Sequence, residues 1–270
     1  MNLSRIKIMP NNKLSAFTLA EVLITLGIIG IVAALTIPTL INNYQKQSYA
    51  TALKKGYLQY QGFLKQYMAD EGTTNLNDTD LYDQPLAETD ANRQKQVEQI
   101  IRKYFKVAKF CKPLDTDCIY PMKFLKATGT DLLFSQAGRY NIFTIDGMAY
   151  SFDFDKAQCK PNLSYWSKIK SSCGFVYIDV NGPKPPNKNG YDVHAGFVVN
   201  YDGFIFPIYG REYSNYIKAV VGNDSNPDIA HWTTVTNSCG QVGQKEADMS
   251  DITQGQCVAR IMENGWTIDY

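Results

Sequence analysis

The sequence predicts an α+β protein in which a long N-terminal helix precedes a head built on an antiparallel sheet. Three observations carry this. An apolar run, "AFTLAEVLITLGIIGIVAALTIPTLI", covers residues 16–41, and a helical pattern continues from it to about residue 70. Beyond residue 119 the texture changes to short alternating segments joined by Asp-Gly turns. All six cysteines lie after residue 110, well beyond the apolar run. Helices first and strands after is the order of an α+β fold. With 270 residues, 44% of them apolar, the chain is long enough to bury one good core.

The N-terminal run is the first element. Val22 to Ile41 holds 20 residues without a charge, which at 1.5 Å rise spans a hydrocarbon core of ~30 Å. The residues before Phe17 contain Arg5, Lys7 and Lys13 and no acid, so this short end is expected to stay cytoplasmic with everything from about Asn42 outside. A cleaved secretory signal fits poorly. Its apolar core is ~7–15 residues followed by a small-residue cleavage site, and Pro38-Thr39-Leu40 is not one. A plain signal anchor fits the hydropathy but leaves Glu21 without a role. A carboxylate at that depth costs several kcal/mol unless it is paired or snorkels, and the run supplies no cation.

The helix is expected to continue past the run. Leu53, Tyr57, Tyr60, Leu64 and Tyr67 recur at steps of four and three, opposite Lys54, Lys55, Gln59, Lys65 and Gln66. Gly56 and Gly62 each cost up to ~1 kcal/mol against Ala, so packing has to hold this stretch. Residues 17 to about 70 then form one helix of ~80 Å. Residues 72–90 read as a polar surface loop, and Asp90 caps a second helix running to about Ala108. Arg102, Lys103, Lys106 and Lys109 gather near its end, where a solvated face complementing the helix terminus is preferred to a nucleic-acid patch.

Two hairpins follow, "YNIFTIDGMAYSFDF" around Asp146-Gly147 and "GFVVNYDGFIFPIY" around Asp202-Gly203, with "CGFVYIDV" as a further strand. A short helix from Cys257 to Asn264 ends at Gly265, after which Trp266 is expected to pack back on the core. The cysteines number six with no CxxC, which argues against zinc and for disulfides in an oxidising compartment. Because short loops close most easily, sequential pairing is expected: Cys111–Cys118, Cys159–Cys173 and Cys239–Cys257. In "IDVNGPKPPNKNGYDVHAGF", Asp179, Asn181, Asn187 and Asp192 offer hard oxygens for a Ca²⁺ ion. The spacing is not that of an EF-hand, since Gly190 stands where the twelfth-position Glu belongs, and Asx-type turns satisfying loop backbone are the preferred reading.

Taken together, Ala16, Phe17-Thr18-Leu19, Glu21 and Pro38 make the N-terminal segment resemble that of type IV pilins and type II secretion pseudopilins. The resemblance covers about 35 residues. It implies a basic leader, residues 1–16, cut between Ala16 and Phe17 by a prepilin peptidase, with Phe17 then N-methylated. Glu21 falls at the fifth mature position and Pro38 at the twenty-second, where the family often has a kinking proline. Ala16 departs from the usual Gly before the cut. The resemblance also implies a division into leader 1–16, spine helix 17–70 with a transmembrane part about 17–41, and head 71–270. The loop at 178–197 resembles one that recurs in pilin-like heads, and the Cys239–Cys257 segment resembles their variable surface loop.

The implied partners are other copies of the chain or related pilins, the peptidase, an inner-membrane assembly platform and the membrane itself. Nucleic acid is not expected: formal charge is +1, and removing the leader leaves 24 bases against 26 acids. The implied place is the cytoplasmic membrane, then a periplasmic or extracellular filament. No GxSxG, Walker-type loop or HExxH occurs, and His194 and His231 do not form a catalytic set with other residues, so no enzyme and no cofactor are expected. The alternative is a single-pass anchored module whose head binds a ligand.

Overall fold

In a computed structural model, residues 18–82, 90–113, 115–122, 132–133, 139–154, 159, 172–207 and 251–270 are described. The chain divides into two compact units, residues 1–45 and 46–270. Helix α1, Leu19–Asp70, contributes to both.

Within the first unit the large apolar side chains of α1 are exposed. Leu19 is 79% exposed, Ile31 66% and Leu35 74%. By length and composition this helix is able to cross a membrane. Within the second unit the expected periodicity becomes a buried stripe: Ala50, Leu53, Gly56, Tyr60, Phe63, Leu64, Tyr67 and Met68. These residues sit at three- and four-residue steps and so share one face.

That face packs on a six-stranded antiparallel sheet of order β1-β4-β5-β6-β7-β8. Its strands are β1 (Val107–Cys111), β4 (Tyr140–Thr144), β5 (Ala149–Phe152), β6 (Ser172–Asp179), β7 (Val193–Asn200) and β8 (Ile205–Pro207). A two-stranded ribbon, β2 (Pro121–Met122) and β3 (Leu132–Leu133), lies apart from the sheet in its pairing. Both Asp-Gly hairpins form where expected, β4–β5 and β7–β8. Gly147 (φ +88°) and Gly203 (φ +76°) supply the left-handed backbone those turns require. The core is aromatic: Tyr60 contacts Phe63, Phe105, Tyr150 and Phe152 with ring centroids 5.6–6.2 Å apart. Gly56 permits this closeness, since a Cβ there would meet Met148 Cε at 2.5 Å and Ile178 Cγ2 at 3.0 Å.

Three local expectations are corrected. Helix α2 covers Ala91–Tyr104 and does not reach Ala108. Phe105 is extended at its end, and Val107–Cys111 pairs with β4 as an edge strand. Pairing to Ile142 and Phe143 outweighs the weak helical pattern of Lys106–Lys109. The loop after α1 is not purely a surface loop: Leu76, Leu81 and Tyr82 are buried. Tyr82 donates to the Cys173 carbonyl, and buried Arg93 donates to the carbonyls of Asp80 and Leu81. The last helix, α3, runs Asp251–Glu263, beginning before Cys257. After it, Trp266 packs on Tyr57 with centroids 5.2 Å apart, as expected.

Candidate functional site

The N-terminal turn of α1 is built around Glu21. Thr18 stands at the N-cap and Glu21 at the third helical position. Glu21 Oε2 accepts from the Thr18 N–H at 2.8 Å and from the Thr18 hydroxyl at 2.8 Å. Thr18 Oγ1 in turn accepts from the Glu21 N–H at 3.2 Å. This is a reciprocal capping box, in which each side chain satisfies a backbone donor that the helix itself cannot. The carboxylate is thus held against the very start of the helix, where the macrodipole favours a negative charge. The Thr-x-x-Glu spacing was present in the sequence as a capping signature. Membrane depth alone calls for a cation beside Glu21, whereas the donors that meet it are local.

Downstream, polar groups on the apolar face are likewise satisfied within the helix. The hydroxyls of Thr25 and Thr36 donate to the carbonyls of Val22 and Val32, both at 2.9 Å. Such internal satisfaction is what a lipid or protein environment demands of a spanning helix. Pro38 lies inside α1 and has no N–H to give the Ala34 carbonyl, so the helix lacks one bond there. Ala16 and Phe17 lie outside the described residues.

In the head, Cys111–Cys118 and Cys159–Cys173 are disulfides closing loops of 7 and 14 residues. A loop of about 15 residues corresponds to ~3 kcal/mol of stabilisation in the chain-entropy account. Cys257 is also disulfide-bonded, and its expected partner Cys239 lies outside the described residues, as does His231.

The four oxygen-bearing residues of the 179–192 loop are drawn into backbone contacts. Asp179 Oδ1 accepts from the Asn181 N–H at 3.1 Å and Oδ2 from the Tyr120 hydroxyl at 2.7 Å. Asp192 accepts from the N–H groups of Asn187 at 2.9 Å and Lys188 at 2.6 Å. The amides of Asn181 and Asn187 donate to the carbonyls of Lys184 and Pro183, leaving their own side-chain oxygens buried without a partner. Burial raises the carboxyl of Asp179 well above its ordinary range, and that of Asp192 above it too. Among the described residues no three His, Cys, Asp or Glu side chains gather as a metal-ligand group.

His194 is 1% exposed on β7, and neither ring nitrogen has a hydrogen-bond partner in good geometry. Burial holds its pKa down to about 3, so the ring is neutral. Three of the four basic residues near the end of α2 are engaged locally. Arg102 pairs with Glu98 at 2.8 Å, Lys103 with Asp70 at 2.6 Å, and Lys109 donates to the Asp117 carbonyl. They also divide between α2 and β1, so they do not form one helical face.

No curated protein and no solved structure matches the chain. One family model does, described as the prokaryotic N-terminal methylation motif, over residues 11–37. That stretch contains the capping box at Thr18 and Glu21 and most of the exposed apolar helix. The N-terminal segment of this chain thus matches the prokaryotic N-terminal methylation motif, the hallmark of type IV pilins and pseudopilins.

Proposed function

We propose that the chain is a structural subunit of a type IV pilus or of a pilus-like type II secretion filament. The observation that carries this is the methylation motif at residues 11–37 falling on a helix whose large apolar side chains are exposed among the described residues. In this reading a prepilin peptidase cuts between Ala16 and Phe17, and Phe17 is N-methylated. The head stands outside the cytoplasm, and the protein waits in the membrane until an assembly platform extracts it. Apolar burial between helices then drives bundling, because surface that leaves lipid must find other apolar surface.

Glu21 selects the register. Thr18 holds its carboxylate at the tip of the helix, and the new amine of Phe17 on a neighbouring subunit supplies the counter-charge. Removing one member of a buried ion pair is costly because the other charge is left uncompensated. Pro38 weakens the helix at one point and lets it bend within the bundle. No cofactor is assigned, and the carboxylates of Asp179 and Asp192 serve the loop backbone.

The test is Glu21→Ala in cells. Membrane insertion and leader removal should proceed as in the parent, while incorporation into filaments, read by electron microscopy of sheared material, should be lost. A normal filament yield refutes the role given to Glu21.

A further inference from the structure

Residues 265–270, "GWTIDY", leave the end of α3 and return to α1 within the second unit. The Trp266 N–H donates to the Ile261 carbonyl at 2.8 Å and the Gly265 N–H to the Met262 carbonyl at 3.2 Å, the paired bonds of a Schellman turn. Gly265, at φ +67°, supplies the left-handed residue this turn needs. Trp266 is left-handed as well, at φ +64°. A bulky side chain keeps that conformation only where its surroundings impose it.

The surroundings are α1. The Trp266 ring packs on Tyr57 with centroids 5.2 Å apart, and Lys54 Nζ lies 5.9 Å from the indole centroid. Four residues on, the backbone oxygen of Tyr270 accepts from Lys46 Nζ at 2.5 Å, and its hydroxyl donates to the Gly190 carbonyl at 2.5 Å. Between these two anchors Asp269 pairs with Arg260 of α3 through bonds of 2.8 and 2.9 Å. The first anchor meets α1 at Tyr57 and the last at Lys46, so the segment runs antiparallel to the helix. From Lys46 to Tyr57 is about three turns, ~16 Å of helix.

The hold is shallow. Of the six residues only Ile268 is buried. The Arg260–Asp269 pair is partly exposed, at 25% and 39%, and pairs of that kind add little. A segment with so little buried surface opens locally without global unfolding, and opening also lets Trp266 leave its left-handed backbone. From this we propose that residues 265–270 are a strap that opens as a unit while the rest of the head stays folded, and that its opening loosens α1 between Lys46 and Tyr57. Closed, the strap pins both ends of that stretch. Open, the stretch keeps Ala50, Leu53 and Gly56 buried in the core but loses the pins. The device depends neither on membrane insertion nor on filament formation.

Hydrogen exchange read by mass spectrometry tests it, on the full chain in detergent micelles. In the parent, the amides of residues 265–267 should exchange faster than those of β6 and β7. Trp266→Gly removes the ring and accepts the same φ without strain. It should speed exchange several-fold both in residues 265–270 and in residues 46–57, leaving β4, β5 and residues 63–68 of α1 unchanged. Tyr270→Phe loses only the bond to Gly190 and should give the same pattern at smaller amplitude, which keeps the test available if Trp266→Gly fails to fold. Faster exchange in residues 265–270 with residues 46–57 unaltered would show that the strap does not hold α1, and would overturn the proposal. A parallel rise across the whole head would overturn it too, because the segment would then be ordinary core. So would parent amides at 265–267 as slow as those of β6 and β7. None of these outcomes bears on the filament reading, which is judged by filament yield.

Discussion

The two parts of α1 answer to different solvents. Between Val22 and Ile41 the helix carries no charge and its large apolar side chains are exposed all round. Between Lys46 and Asp70 it is amphipathic, with one buried stripe and the opposite face given to Lys54, Lys55, Gln66 and Asp70. A helix that is apolar all round needs burial on all sides, whereas an amphipathic one needs a single partner. The second part has its partner in the sheet. The first shows no burial of its large apolar side chains among the described residues, and a surface of that kind is satisfied by lipid or by other copies.

A charge placed in each part breaks this comparison most sharply. Leu64→Arg puts a cation at a fully buried position facing the sheet and should cost the head about 4 kcal/mol or more, seen as loss of its cooperative thermal transition. Ile31→Arg sits where the monomer leaves the side chain exposed. The head's transition should be unchanged, while membrane insertion is penalised by about 2.5–3.5 kcal/mol. Equal effects of the two variants on the head would erase the distinction.

A smaller effect concerns His194 and pH. Its folded pKa, about 3, lies below the ordinary value of 6.5, so the folded head binds fewer protons than the unfolded chain between those values. Its contribution is therefore complete above about pH 6.5 and is lost progressively as pH falls toward 3. By pH 5 the loss amounts to roughly 2 kcal/mol. Asp179 and Asp192 act in the opposite sense, since their raised pKa values make protonation favour the folded state. Denaturant midpoints measured from pH 7 to 4.5 should therefore fall less steeply in His194→Leu than in the parent. Parallel profiles would show that the ring is not what titrates.

Comparable and smaller effects come from two glycines on α1. At Gly56 a methyl group would meet Met148 and Ile178, and Gly56→Ala should destabilise the head by about 1–3 kcal/mol. At Gly62 there is nothing within 4 Å, and Gly62→Ala should stabilise by up to about 1 kcal/mol. Urea titration of the two variants reads both signs.

Much of this architecture was legible in the residues. The steps of three and four from Leu53 to Tyr67 placed the buried stripe, and Asp146-Gly147 and Asp202-Gly203 placed two hairpins, because a left-handed turn needs that chemistry. The cysteine spacings anticipated Cys111–Cys118 and Cys159–Cys173. The end of α2 was not legible, because Lys106-Val107-Ala108-Lys109 suits helix or strand and only pairing to β4 decides. Nor were the inward turns at Leu76, Leu81 and Tyr82, whose polar neighbours in sequence concealed contacts that Arg93 and Tyr67 supply from elsewhere. At the N-terminus, membrane depth singles out Glu21 but says nothing of Thr18, its partner three residues away.

The central claim is that the chain becomes assembly-competent by gaining a new amine at the tip of α1. The mass of the N-terminal peptide of the protein recovered from cells tests it directly. The account predicts a chain beginning at N-methylated Phe17, with residues 1–16 gone. A chain still beginning at Met1 would leave Glu21 without its proposed counter-charge and would contradict it.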